Sequence, residues 1–327
     1  MTTTSRRDEA GDSDKATARD CRVRVAFRAA ARTLGRRSSF RRRVASLTGT
    51  QLVSLVLAIA QGVIIARWLG PTGKGELAIA ALAAGVMQLV LNPGLSASYV
   101  YFTASGRIRV RDLTTHAVAV ALLVGIAAPC IVEILRVTGL LHHLIPDVPI
   151  GLVLLAAVVL PLSVFLGLMT SILQGQQRIS LMNRLSILNS AATLIAVGTF
   201  LIVMDMGPPG ALLGGAAGNV IAAAVVALAL RRDGARFVPA LHHTHIKNLV
   251  GYGIRAQGGN VVQFTNYRFD QLVLNHVAGP AAVGLYSLAV SLAELLWQLP
   301  NAVSTIIFPT RLSRFRQRQI LMNTGVV

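Results

Sequence analysis

Between Ile254 and Gln271 an apolar stretch of chain carries Arg255, Gln257, Asn260, Gln263, Asn266, Arg268, Asp270 and Gln271. Two arginines, five amides and an acid on one apolar segment suit solute handling: charge for an ionic group and hydrogen bonds for a polar one. A second acid, Glu294, stands in the next apolar segment, four residues before Gln298. At about 100° per residue, Ile254, Gly258, Val261, Val262, Thr265, Phe269, Leu272 and Val273 fall within about 120° of one another. Polar side chains, Tyr267 among them, fill most of the remaining circumference. Ionisable groups in a bilayer are costly and face water or partners, so the pattern predicts a helix lining a wet cavity. The candidate cavity residues are Arg255, Gln257, Asn260, Gln263, Asn266, Arg268, Asp270 and Glu294.

These residues need a membrane scaffold around them. The chain has 327 residues, 54% hydrophobic and 13% charged, with a mean hydropathy of +0.62. That balance excludes an ordinary soluble domain. Apolar windows of about 20 residues recur, each long enough to cross a roughly 30 Å hydrocarbon core as a helix. The fold class is therefore all-α, a polytopic membrane bundle. Eight spans are expected, at 44–67, 77–104, 115–137, 150–174, 181–203, 209–230, 248–274 and 282–308. Pro93, Pro129 and Pro161 fall inside spans, as kinks or hinges.

The net charge of +18 reports orientation rather than nucleic-acid binding. Thirteen of the 31 Lys and Arg residues lie in the first 43 positions. With the N-terminus in the cytoplasm, 26 of the 31 fall in inside segments and 3 in outside ones, which satisfies the positive-inside rule with both termini cytoplasmic. Residues 1–43 form a basic cytoplasmic tail. Within it Arg24, Arg28, Arg32 and Arg36 recur every four residues, a spacing that fits either a helix on an anionic leaflet or a solvated tail that only fixes topology. Ala58-Ile59-Ala60 looks like a leader cleavage site, but the long basic lead reads as a retained anchor.

Catalytic chemistry is not expected. No HExxH, phosphate-binding loop or nucleophile elbow occurs. Cys21 and Cys130 stand apart, and His242, His243 and His245 lack a nearby Cys or carboxylate partner, so no metal site, disulfide or cofactor is implied. An ion or proton gradient is the drive such a cavity would use.

The chain also repeats itself. Gly70, Pro71 and Gly75 match Gly279, Pro280 and Gly284 at one offset of 209. An even number of spans between the copies gives a parallel repeat about an axis along the membrane normal. The expected organisation is a six-helix lobe at 44–230, a cytoplasmic linker at 231–247, the first two helices of a second lobe at 248–309 and a cytoplasmic tail at 310–327. A two-lobed transporter would need further helices, so the sequence is expected to be truncated, completed by another chain, or reduced.

Two pairs of motifs resemble a known family. RWLGPTGKGELA from Arg67 and NPGLSASYVYFTA from Asn92 are similar to the opening of the polysaccharide transport family, the export flippases for lipopolysaccharide, O-antigen and teichoic acid. NYRFDQLVL from Asn266 and VGLYSLAVSLAELLWQLPNAVSTIIFP from Val283 look like the start of that family's second lobe. The family belongs to the multidrug/oligosaccharidyl-lipid/polysaccharide flippase superfamily. The resemblance implies two six-helix lobes around a central cavity and alternating access. It implies translocation of lipid-linked oligosaccharide across the cytoplasmic membrane, with glycan-assembly proteins as partners. Arg255 and Arg268 would then meet the diphosphate, because the guanidinium fork pairs with phosphate oxygens. Being 13 residues apart, about 20 Å along a helix, they would serve different stages of one path. Asp270 and Glu294 would hold a cation or proton, and the amides would bond sugar hydroxyls. The alternatives are a cation-coupled multidrug-type antiporter on the same scaffold, or a non-transporting remnant that binds partners. A glycan polymerase or glycosyltransferase would want a large outer loop or a domain with paired acids, and neither is present.

Overall fold

The computed structural model describes residues 49–235, 237–239 and 243–323, with side chains given in the last segment from Ile246 to Glu294. The tail at 1–43 and the side chains of His242, His243 and His245 lie outside the described residues. All the regular structure described is helical. In chain order it comprises α1 (Gly49–Leu91), α2 (Leu95–Ser105), α3 (Val110–Val137), a short α4 (Leu140–Leu144), α5 (Ile150–Gly175), α6 (Ile179–Gly198), α7 (Gly207–Arg231) and α8 (His243–Asn323). A π-helical turn, Thr199–Val203, closes α6.

Six of these helices are long and apolar enough to cross a membrane, against the eight spans expected. The difference lies in two glycines. Gly70 has φ 65° inside α1, and Gly279 has φ 76° and ψ 178° inside α8. A left-handed or extended residue cannot continue a right-handed helix, and glycine takes such backbone without a Cβ clash. Each glycine therefore divides its helix into two arms, and eight apolar segments result. The connection expected between the spans 44–67 and 77–104 collapses to this one-residue break. A second departure occurs at Asn92-Pro93-Gly94, where the expected span 77–104 stops at Leu91 and resumes as α2. Proline there lacks a backbone donor, and Gly94 has φ 66°. Pro129 and Pro161 stay inside α3 and α5, with the helices continuous through them.

α5 is the central post. It packs against α2, α3, α6 and α7, and Ala157, Val164, Leu168, Met169, Ile172 and Leu173 are fully buried. α6 and α7 approach more closely still, because Gly210, Gly214 and Gly218 lie four residues apart on one face of α7. A Cβ on Gly214 would stand 2.7 Å from the Val197 backbone nitrogen, and one on Gly218 would stand 2.0 Å from Thr193 Oγ1. Small residues at this spacing are how membrane helices gain contact when lipid supplies no hydrophobic drive between them.

Candidate functional site

The site is built where α8 lies over the second arm of α1. Gly253 meets Gly94, and a Cβ there would fall 2.4 Å from the Pro93 carbonyl oxygen. Gln257 Nε2 donates to Leu89 O at 3.1 Å. Phe264 closes on Gly85, where an added Cβ would lie 3.0 Å from its ring edge. Gly75 then meets Pro280 and Gly284. The two arms therefore run antiparallel along their whole length. The second arm of α8 folds back along the first. Arg268 Nη2 pairs with Glu294 Oε1 at 3.3 Å, and Tyr286 Oη donates to Asp270 Oδ2.

The orientation of α8 follows from its stripe. Ile254, Val262, Phe269 and Val273 point away from α1, with Val262 71% exposed. The face turned inward carries Gln257, Phe264, Arg268, Gln271 and Asn275, and Gln271 and Asn275 are almost fully buried. Asn275 Nδ2 donates to Pro146 O at 3.1 Å, tying α8 to the loop before α5. Beside this face lies an open cavity of about 290 Å³, lined by Leu89, Asn260, Gln263, Phe264, Tyr267 and Arg268.

Three of the eight expected residues, Asn260, Gln263 and Arg268, line that cavity. Gln257 borders it, accepting from Asn260 Nδ2 at 3.2 Å. Glu294 reaches it through Arg268. Asp270 is held by Tyr286 and by the backbone N–H of Gln271, so it faces the other arm. Arg255 and Asn266 are exposed and stand apart from the cavity lining. The continuous helix between Arg255 and Arg268 keeps them about 20 Å apart. Sequence reasoning left out Leu89, Phe264, Asn275 and Tyr286. Asn275 carried a signal, since it lies one turn beyond Gln271 on the same stripe. Leu89 carried none.

Where α2 meets the start of α8, Ser98 Oγ donates to Leu249 O at 2.6 Å. Tyr101 stacks on Tyr252 at 4.5 Å between centroids, with the Arg107 guanidinium 5.8 Å over the Tyr101 ring. Deeper in the bundle, Tyr99 Oη and His116 Nδ1 are hydrogen-bonded at 2.7 Å, both buried.

Residues 40–315 match the family described as "Polysaccharide biosynthesis protein". The chain belongs to that family. It is similar to a protein of Shigella flexneri named "Putative O-antigen transporter", 24% identical over 277 residues, which cover 81% of this chain and 64% of that protein. The chain thus spans less than two thirds of the length of this curated relative. Among solved structures it resembles a eukaryotic MATE transporter, with TM-score 0.56 at 12% identity, over 82% of this chain and 63% of the other. It also resembles a MOP superfamily transporter from Pyrococcus furiosus, with TM-score 0.52 at 15% identity, over 81% and 61%. Identities this low speak for the fold, and the fold of this family member is a multi-pass membrane helix bundle of the MOP type.

Proposed function

We propose that the chain forms the first lobe and the opening of the second lobe of a flippase, moving lipid-linked oligosaccharide across the cytoplasmic membrane by alternating access. The observation that carries this reading is the way α8 is turned. Its apolar stripe faces outward, while Asn260, Gln263 and Arg268 line a cavity against α1. A lipid-linked glycan has matching parts: a polyprenyl tail for the apolar stripe, a diphosphate for guanidinium groups and hydroxyls for amides. The family match and the O-antigen relative support the same substrate class.

The lobes in this reading are 44–230 and, from 248 to 309, the start of the second, joined by 231–247. The tails at 1–43 and 310–327 are cytoplasmic in this reading, which the 26-to-3 distribution of basic residues supports. The basic N-terminal tail meets anionic lipid, and glycan-assembly proteins are the partners. The protein moves its substrate without altering it.

The test is reconstitution of the full chain in vesicles with a fluorescent lipid-linked oligosaccharide, followed by an impermeant bleaching agent. Bleaching that proceeds beyond the outer-leaflet pool is the expected result. Bleaching that stops where protein-free vesicles stop, with the protein folded and monodisperse, overturns the proposal. The MATE-like fold makes one second reading specific. A cation-coupled antiporter would instead release a cationic dye when a cation gradient is imposed.

A further inference from the structure

Resting on that reading, we propose that Glu294 is the internal counter-ion of an anion site at Arg268, and that the substrate's diphosphate binds there by displacing it. Among the described residues Arg268 is the one cation lining the cavity, whose other lining groups are the neutral Asn260, Gln263, Tyr267, Leu89 and Phe264. A guanidinium left unpaired in a membrane cavity is costly, and none of those groups can neutralise it. Glu294 does so from the second arm of α8. Asp270 stands two residues from Arg268 but is engaged by Tyr286 and by the Gln271 backbone.

The pair has the features of a releasable contact. The 3.3 Å separation is longer than the about 2.7–2.9 Å of a strong charge-assisted hydrogen bond. Among the described residues the contact engages Nη2, so Nε and Nη1 keep their donors for an incoming anion. Both side chains are partly open, Arg268 at 38% and Glu294 at 47%, so the carboxylate can return to water when displaced. A diphosphate offers several oxygens in a geometry that the guanidinium fork meets in pairs, whereas Glu294 makes one long contact. Arg268 thus has an anionic partner both when the cavity is empty and when it is loaded.

The test is calorimetric titration of the purified full chain with farnesyl diphosphate, using farnesol to subtract tail binding. Glu294→Gln should bind the diphosphate about two- to fivefold more tightly, the factor expected for removing a partly exposed ion pair. Arg268→Gln should weaken binding, and in its background Glu294→Gln should have no further effect. Glu133→Gln, which removes the same charge from a pair with Arg136 at the far end of α3, should leave affinity unchanged and so exclude a general field effect. If wild type binds but Glu294→Gln binds equally or more weakly, or Glu133→Gln matches its gain, the counter-ion proposal falls and the flippase reading stands. If no folded variant binds the diphosphate above farnesol, both fall together. Thermal melting of each variant separates loss of binding from loss of fold.

Discussion

Gly75 and Gly284 occupy each other's side-chain space. A Cβ on Gly75 would lie 1.7 Å from the Pro280 carbonyl oxygen, and a Cβ on Gly284 would lie 1.9 Å from that of Pro71. The contact is reciprocal, and its members are the two copies of one motif at an offset of 209. Gly70 and Gly279, the residues that break α1 and α8, belong to the same pair of copies. An internal repeat that touches itself through equivalent residues places its local two-fold axis between them. A parallel repeat in a two-lobed transporter would make a contact of this kind.

Gly284→Val should therefore part the two copies. No flexible side chain can yield here, since the clash is with backbone. Overpacking of this kind costs about 1–3 kcal/mol. The melting temperature of the detergent-purified protein should fall, and Gly75→Val should match it. Gly151, with open space around it, is the control, and Gly151→Val should melt close to the wild type.

The seam between α6 and α7 makes a separable prediction. Gly218→Ala puts its methyl 2.0 Å from Thr193 Oγ1, whereas the next nearest atoms stand at 3.0 Å. Deleting the hydroxyl with Thr193→Ala removes the worst contact. Gly218→Ala should destabilise by about 1–3 kcal/mol, and adding Thr193→Ala should restore at least half of that loss. Such non-additivity is the signature of residues in direct contact. A double-mutant cycle on thermal unfolding measures it. Additive effects would mean that α7 shifts as a whole.

How much of this could be read beforehand depended on the kind of information. Apolar windows of span length are local, so the helical bundle and its segments were legible, as was the repeat. Whether the Gly-Pro motifs formed loops or single-residue breaks was not legible, because both satisfy the same residues. The helical wheel separated the two faces of α8 without saying which turned inward. That depended on Leu89, Gly85 and Gly94 lying opposite, far away in sequence. The partner of Asn275 is a carbonyl at Pro146, and a backbone acceptor leaves no trace in residue type. The pairing of Arg268 with Glu294 follows from the fold-back of α8 at Gly279, which brings together residues 26 positions apart.

Arg255 and Arg268 should separate in mutagenesis. Arg255 is exposed, with no ion pair among the described residues, so Arg255→Gln should leave the melting temperature unchanged. Arg268→Gln breaks a partly exposed pair, for a loss of under about 1 kcal/mol. Both should slow glycolipid translocation roughly tenfold, the scale of one lost charge-assisted hydrogen bond of about 1.5 kcal/mol. Melting and vesicle translocation on the same preparations check both halves. Full translocation by Arg255→Gln would remove it from the path.

The opposite end of the α1–α8 contact is closed as well. Gly94 abuts Gly253, Ser98 holds Leu249, and Tyr101 stacks on Tyr252. In the proposed flippase, alternating access would require one end to part while the other holds, so a link across this end should stop the cycle. Tyr101 and Tyr252 suit the purpose because both are partly exposed, at 36% and 38%, and therefore reachable by reagent. Cys130 is also exposed, so it and Cys21 are first replaced by serine. In that background Tyr101→Cys with Tyr252→Cys, joined by a short thiol-reactive cross-linker that a reductant can cleave, should abolish translocation. Reduction should restore the rate of the uncross-linked double mutant. Each single cysteine treated alike should be unaffected. Full-rate translocation with the cross-link in place would show that this end stays shut throughout the cycle, and would assign the moving gate to Gly75 and Gly284.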